Sequence, residues 1–134
     1  MGIIRHAVRM INFTRIIGVK EDLPEGEHAV IINVTLHNPP ELLKFKGEDV
    51  VFMTATANVT LEKLAEALMR IEVIYKFENV SEKIKAEKTI KEKKKLPEDI
   101  EKKLMNNIGA RAILMLVKSH NELGIPPPVP LPRF

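Results

Sequence analysis

Alternation with period two runs through the first three quarters of this chain and restricts its fold more than any other feature. It is clearest over residues 51–60, where Val51, Met53, Ala55, Ala57 and Val59 interleave with Thr54, Thr56, Asn58 and Thr60. Successive side chains of a strand point to opposite faces, so this pattern predicts a strand with one buried and one wet face. Three more runs behave alike. Over residues 8–19, Ile11, Phe13 and Ile17 oppose Asn12 and Thr14; Val30, Ile32, Val34 and Leu36 oppose Asn33, Thr35 and His37. Met69, Ile71, Val73, Tyr75 and Phe77 oppose Arg70, Glu72 and Lys76. Polar alternation in every run predicts an antiparallel sheet.

Turn residues fall between these runs: Leu23-Pro24-Glu25-Gly26, then Asn38-Pro39-Pro40, which is expected to break the second strand, then Lys46-Gly47-Glu48. Residues 61–68 are rich in Leu, Glu, Lys and Ala and favour helix by propensity. Flanked by strands, they are expected to form a short connection flowing into the fourth.

The apolar face of such a sheet needs a cover, and the last third of the chain can supply it. Ser81 is the expected N-cap of a helix over residues 82–95. Pro97 stops that helix and opens a second, over residues 97–123, which Gly124 and Pro126 end. Ile100, Leu104, Ile108 and Met115 mark one stripe, but residues 112–117 are apolar all round. A helix of that kind is sandwiched between layers. One chain of 134 residues covers one side only. A second subunit is therefore expected on Ile113, Leu114, Leu116 and Val117. The fold class is α+β, a four-stranded antiparallel sheet followed by two helices, in one domain over residues 1–134 that is expected to be oligomeric.

Composition excludes several functions. The chain has no cysteine, so it forms no disulfide and does no thiolate chemistry. Its opening residues show no apolar signal segment, and its longest apolar run falls far short of a membrane span; a cytoplasmic protein with no membrane insertion is expected. The six glycines match no phosphate-cradling loop, and His6, His28, His37 and His120 show no metal spacing. No catalytic constellation and no cofactor are expected. The net charge of +3 is concentrated: Lys83, Lys85, Lys88, Lys91, Lys93, Lys94 and Lys95 face only Glu87 and Glu92 in their stretch. A solvated helix is the favoured account of that run. It would also neutralise phosphates, making a nucleic-acid-binding module based on residues 82–95 the alternative. Aromatic residues for stacking bases make up only 4% of the chain and none lies in the run, which speaks against nucleic acid as a partner.

The last third also resembles a known family. Residues 108–132, with Ala110-Arg111, Gly124 and Leu131-Pro132, resemble the closing helix and proline-broken tail of SecB-type protein-export chaperones. Residues 66–80 resemble that family's last strand and residues 50–61 the strand before it. The resemblance implies an ATP-independent holder of unfolded polypeptides, assembled as a homotetramer, a dimer of dimers, with helices between two sheets. It implies client contacts at Ile17, Val19 and Leu23 in the crossover between the first two strands, and at Leu96, Ile100 and Leu104 near the helix connection. For Ile100 and Leu104, plain core packing is at least as good an account. Two features depart from the family. This chain is basic where the family docks on the SecA motor through acidic sheet residues, and its crossover, residues 20–27, is short. Docking on an export motor is accordingly not expected, and a general holdase or a toxin–antitoxin-associated chaperone is equally open.

Overall fold

A computed structural model describes residues 2–18, 20–22 and 29–119. Four strands are followed by two helices: β1 (Gly2–Arg15), β2 (Val30–Phe45), β3 (Glu48–Leu61), β4 (Ala65–Lys76), α1 (Val80–Lys93) and α2 (Glu98–Ser119). The strands form one antiparallel sheet in the order β1-β4-β3-β2. β3 and β4 therefore sit in the middle, and β1 and β2 each leave one edge unpaired among the described residues.

The helices cover one face, and α2 touches all four strands. Val51, Met53, Ala55, Ala57, Val59 and Leu61 of β3 join Ala65, Ala67, Met69, Ile71, Val73 and Tyr75 of β4 beneath Ile100, Leu104, Ile108, Ala112 and Leu116 of α2. The i, i+4 spacing of the helical set places it on one stripe. The alanines of β3 and β4 let the helix approach closely where it crosses the sheet. Edge-strand side chains Val8, Met10, Phe13, Val30, Ile32, Val34 and Leu36 close the flanks.

The first strand departs from its expected pattern. It begins earlier and ends at Arg15, and register shifts fall between Ile3 and Arg5 and between Met10 and Asn12. Each bulge adds one residue to β1, and one added residue exchanges the faces of everything beyond it. Met10 pairs with Met69 and Phe13 with Ala67 on the core side, so Ile11, expected to share a face with Phe13, is instead 54% exposed. A strict period-two count across a bulge misplaces the bulged residue.

Asn38-Pro39-Pro40 does not break β2. The strand continues to Phe45, and the shift between His37 and Glu41 absorbs the prolines as a bulge; the Asn38–Pro39 peptide is cis. Proline is tolerated here because β2 is an edge. Beyond it, Lys46 (φ 50°) and Gly47 (φ 81°) make the two-residue turn into β3. Two successive positive φ values suit the right-handed twist of a tight hairpin, and the second is why glycine stands there. Residues 62–64 make a turn, with Lys63 at φ 60°, and β4 starts at once at Ala65. The predicted connection over residues 61–68 is thus not helical, and it is shorter than expected.

The face away from the helices was expected to be wet, and at the β2–β3 hairpin end it is not. Leu43 pairs with Val50, and Phe52 with Ile74; Val50 is fully buried and the other three are partly so. The Arg5 guanidinium lies 5.7 Å from the centre of the Phe45 ring, and Lys46 Nζ 5.5 Å from it.

Asn79, not Ser81, caps α1: its side chain accepts from the Glu82 N–H at 2.8 Å, and Glu82 Oε1 accepts from the Glu78 N–H at 3.0 Å. Lys94 in the left-handed region ends the helix, its N–H donating to the Ile90 carbonyl. Asn79→Ala is expected to cost about 1 kcal/mol of stability, and Ser81→Ala to leave the urea midpoint nearly unchanged. Pro97 stands just before α2, its carbonyl accepting from Glu101 at 2.9 Å. The predicted helix end at Gly124 and the proline tail lie outside the described residues.

Candidate functional site

Of the residues that the SecB resemblance implies for clients, Val19 and Leu23 lie outside the described residues. The others are buried: Ile17 and Leu96 nearly so, Ile100 and Leu104 fully, all in the main core cluster. Core packing is what these four side chains do in this conformation, and they offer no open groove. The reason lies in α2, whose stripe through Ile100 and Leu104 rests on β3 and β4. Leu96 enters the core from the loop between the helices, where a crevice of about 970 Å³ opens beside it. Lys85, Lys93 and Lys102 face Glu98, Asp99 and Glu101 around that crevice, and Lys85 pairs with Asp99 at 3.8 Å.

The four expected interface residues divide. Leu116 is a core residue and Val117 is buried, so the chain's own fold covers them. Ile113 and Leu114 are half-buried, as is Met115, which packs on the core. The apolar girdle is therefore partly covered within one chain, because α2 runs over the whole sheet rather than along its margin. Only its Ile113–Leu114 side leaves area for a second layer.

The lysine run also divides. Lys83 donates a short hydrogen bond to Asp49, which also meets Lys44 at 3.6 Å, and Lys103 reaches Glu78 at 3.4 Å. These contacts pin α1 and α2 to the β2–β3 hairpin and the β4–α1 connection. Lys88, Lys91, Lys93, Lys94 and Lys95 make no ion pair among the described residues. Exposed Val80 and Ile84 lie on α1 as well.

The hydrogen bond from Lys83 holds the Asp49 carboxyl below its ordinary value of 3.8, and the same bond raises Lys83. A depressed carboxylate contributes stability above its unfolded value and loses it as pH falls through the folded one. Asp49→Asn is thus expected to lower the urea midpoint at neutral pH, with the gap from the parent closing as pH drops below about 3.8. A gap that persists undiminished at pH 2 contradicts this.

Two further ionisable groups are structural. Burial, then the hydrogen bond to Glu82 at 2.8 Å, raises the Tyr75 hydroxyl well above the ordinary tyrosine range, so it stays a proton donor and ties β4 to α1. Burial, then Arg111 of α2, lowers His6. Among the described residues no group of three His, Asp or Glu side chains could hold a metal ion. Among the described residues no helix is long and apolar enough to cross a membrane.

Another concave feature lies on the face away from the helices. It is a trough of about 520 Å³ that spans all four strands, lined by Ile11 of β1, Arg70 of β4, Phe52, Thr54 and Thr56 of β3, and His37, Asn38, Pro39 and Glu41 of β2. His37 Nε2 and the Thr56 hydroxyl are 2.5 Å apart. Both walls are products of bulges: Ile11 is the extra residue of β1, and Asn38-Pro39 belongs to the bulge of β2. Sequence reasoning missed this trough because it placed Ile11 in the core and ended β2 at the prolines. The alternation did identify Thr54, Thr56, His37 and Arg70 as facing away from the core.

Comparison with known protein families, characterised proteins and solved structures finds no match.

Proposed function

We propose that this chain is a non-catalytic, ATP-independent chaperone of SecB-like type that acts in the cytoplasm and holds unfolded polypeptides. The observation that carries the proposal is the sheet itself: two edges that are unpaired among the described residues, beside exposed isoleucines. Ile4 and Ile11 stand at the bulges of β1, Ile16 just beyond its end, and Ile31 on β2. An unpaired edge offers backbone donors and acceptors to any extended chain, and neighbouring apolar side chains add burial without sequence selectivity. Four strands then two helices, with the helices on one face, is also the architecture that the SecB resemblance implies. The half-buried Ile113 and Leu114 suit a homo-oligomer in which helices lie between two sheets.

The buried Ile100 and Leu104 narrow the proposal: clients meet the edges and the open face rather than the helix stripe. The lysine run keeps a nucleic-acid module in view, since Lys88, Lys91 and Lys93 of α1 and Lys94 and Lys95 just beyond it have no ion pair among the described residues. The two functions separate by titration of a labelled, permanently unfolded protein and a labelled RNA at 0.05 and 0.5 M salt. Client binding that survives high salt supports the chaperone. RNA binding that falls steeply with salt, with no client binding at either, replaces it with the nucleic-acid function.

A further inference from the structure

Like charges face each other on the open side of the sheet. Arg9 of β1 pairs directly with Arg70 of β4, between Met10–Met69 and Val8–Ile71 pairs that point into the core. Directly opposed side chains of neighbouring strands sit about 5 Å apart at Cβ, and two like charges there are destabilising. Nothing among the described residues neutralises this pair well. Arg70 meets Glu72 only through Nε, at 3.8 Å and on the exposed surface, and Arg9 makes no ion pair. Arg70 also lines the trough, next to Thr56 in the register, with Ile11, Phe52 and Pro39 as its apolar wall. Glu41 lies on β2, two strands from Arg70, or about 10 Å in strand spacing alone, so the trough is positive at one end and negative at the other.

Resting on the client-holding function, we propose that the trough selects client segments: extended peptide in which an acidic side chain stands two residues from an apolar one, so that both point to the same face. The carboxylate bridges Arg9 and Arg70 and removes their repulsion, and guanidinium groups accept carboxylates bidentately. An apolar side chain two residues along, on the same face, covers Ile11 and Phe52. The threonine hydroxyls of Thr54 and Thr56, which donate and accept, meet the peptide backbone whatever its sequence. A free anion lacks the apolar half of these contacts, which is why the occupant is a peptide.

The test is fluorescence anisotropy with three dye-labelled peptides built on a Val-Ser-X-Ser repeat, which puts valine and X on one face, with X glutamate, glutamine or lysine, at 0.15 M salt. The glutamate peptide is expected to bind about tenfold more tightly than the glutamine one, the lysine peptide most weakly. Arg9→Gln with Arg70→Gln should abolish the difference while leaving the glutamine peptide within about twofold; both sites are exposed, and circular dichroism checks the fold. Glu72→Gln frees Arg70 of its competitor and should tighten the glutamate peptide, a gain that a merely disturbed fold would not give. Equal binding of the three peptides, or a preference that survives in the double variant, overturns the proposal. If the preference is absent but unfolded clients are still held, only the arginine pair is wrong. If the preference is present but no unfolded protein is held, the trough stands as a peptide site and the chaperone function falls.

Discussion

Leu104→Ala is expected to lower the unfolding free energy by about 2–5 kcal/mol, with no loss of client affinity in the protein that remains folded. Leu104 is fully buried between α2 and the centre of the sheet. Truncating a buried leucine removes its transfer free energy and leaves a cavity that packed neighbours fill only in part. Against the few kcal/mol by which a domain of this size is stable, such a loss is large. Urea unfolding followed by circular dichroism measures it, and client titration below the transition measures the rest. A variant with unchanged midpoint and weakened client binding would return Leu104 to the client groove that the SecB resemblance implies.

A second large effect distinguishes the two sides of the girdle. Leu116→Asp is expected to prevent folding, because Leu116 is in the core and an unpaired carboxylate there costs several kcal/mol. Leu114→Asp, at a half-buried position, is expected to leave the secondary structure intact and to lower the oligomeric state. Light scattering of the parent chain at micromolar concentration should report a dimer or tetramer. A parent that scatters as a monomer contradicts the oligomer, and a folded Leu116→Asp contradicts the helix packing.

Much of the fold can be read from the residues because β3 and β4 are regular. Val51 to Val59 and Met69 to Tyr75 alternate without interruption, so counting by two places each side chain on the correct face. The edge strands resist that count. Nothing in Ile3-Ile4-Arg5 or Met10-Ile11-Asn12 announces an inserted residue, since a bulge is decided by how the neighbouring strand sits, not by local propensity. Proline misleads in the opposite direction at residues 39 and 40: it reads as an interruption, yet an edge strand has no partner on its outer side to lose. Asn79 and Ser81 both suit an N-cap by residue type, and only the position of the Glu82 N–H decides between them.

Less of the site is legible, for one physical reason. The girdle over residues 112–117 correctly marks a heavily covered helix, but a helix crossing four strands buries more of its circumference than one resting along an edge. Covering by a partner and covering by the sheet leave the same mark in the sequence. The trough needed two bulges and a register to assemble Ile11, Arg70, Thr56 and His37, none of them close in sequence.

Charge adds a kinetic expectation. With five lysines on α1 and just beyond its end free of ion pairs among the described residues, acidic clients should be captured faster than basic ones at low salt. Salt above 0.1 M, where the Debye length is about 10 Å or less, should remove the rate difference and leave final occupancy largely intact. Stopped-flow capture of two unfolded proteins of opposite charge measures both. A basic client captured faster at low salt would mean that α1 faces away from the approach.

The most direct measurement of client holding is aggregation. A chemically unfolded protein is diluted into buffer without nucleotide, in the presence of increasing amounts of this chain, and its light scattering is followed. The account predicts scattering suppressed in proportion to the chain added, reaching completion near a fixed stoichiometry and indifferent to ATP; scattering that rises as fast with the chain as without it would contradict it.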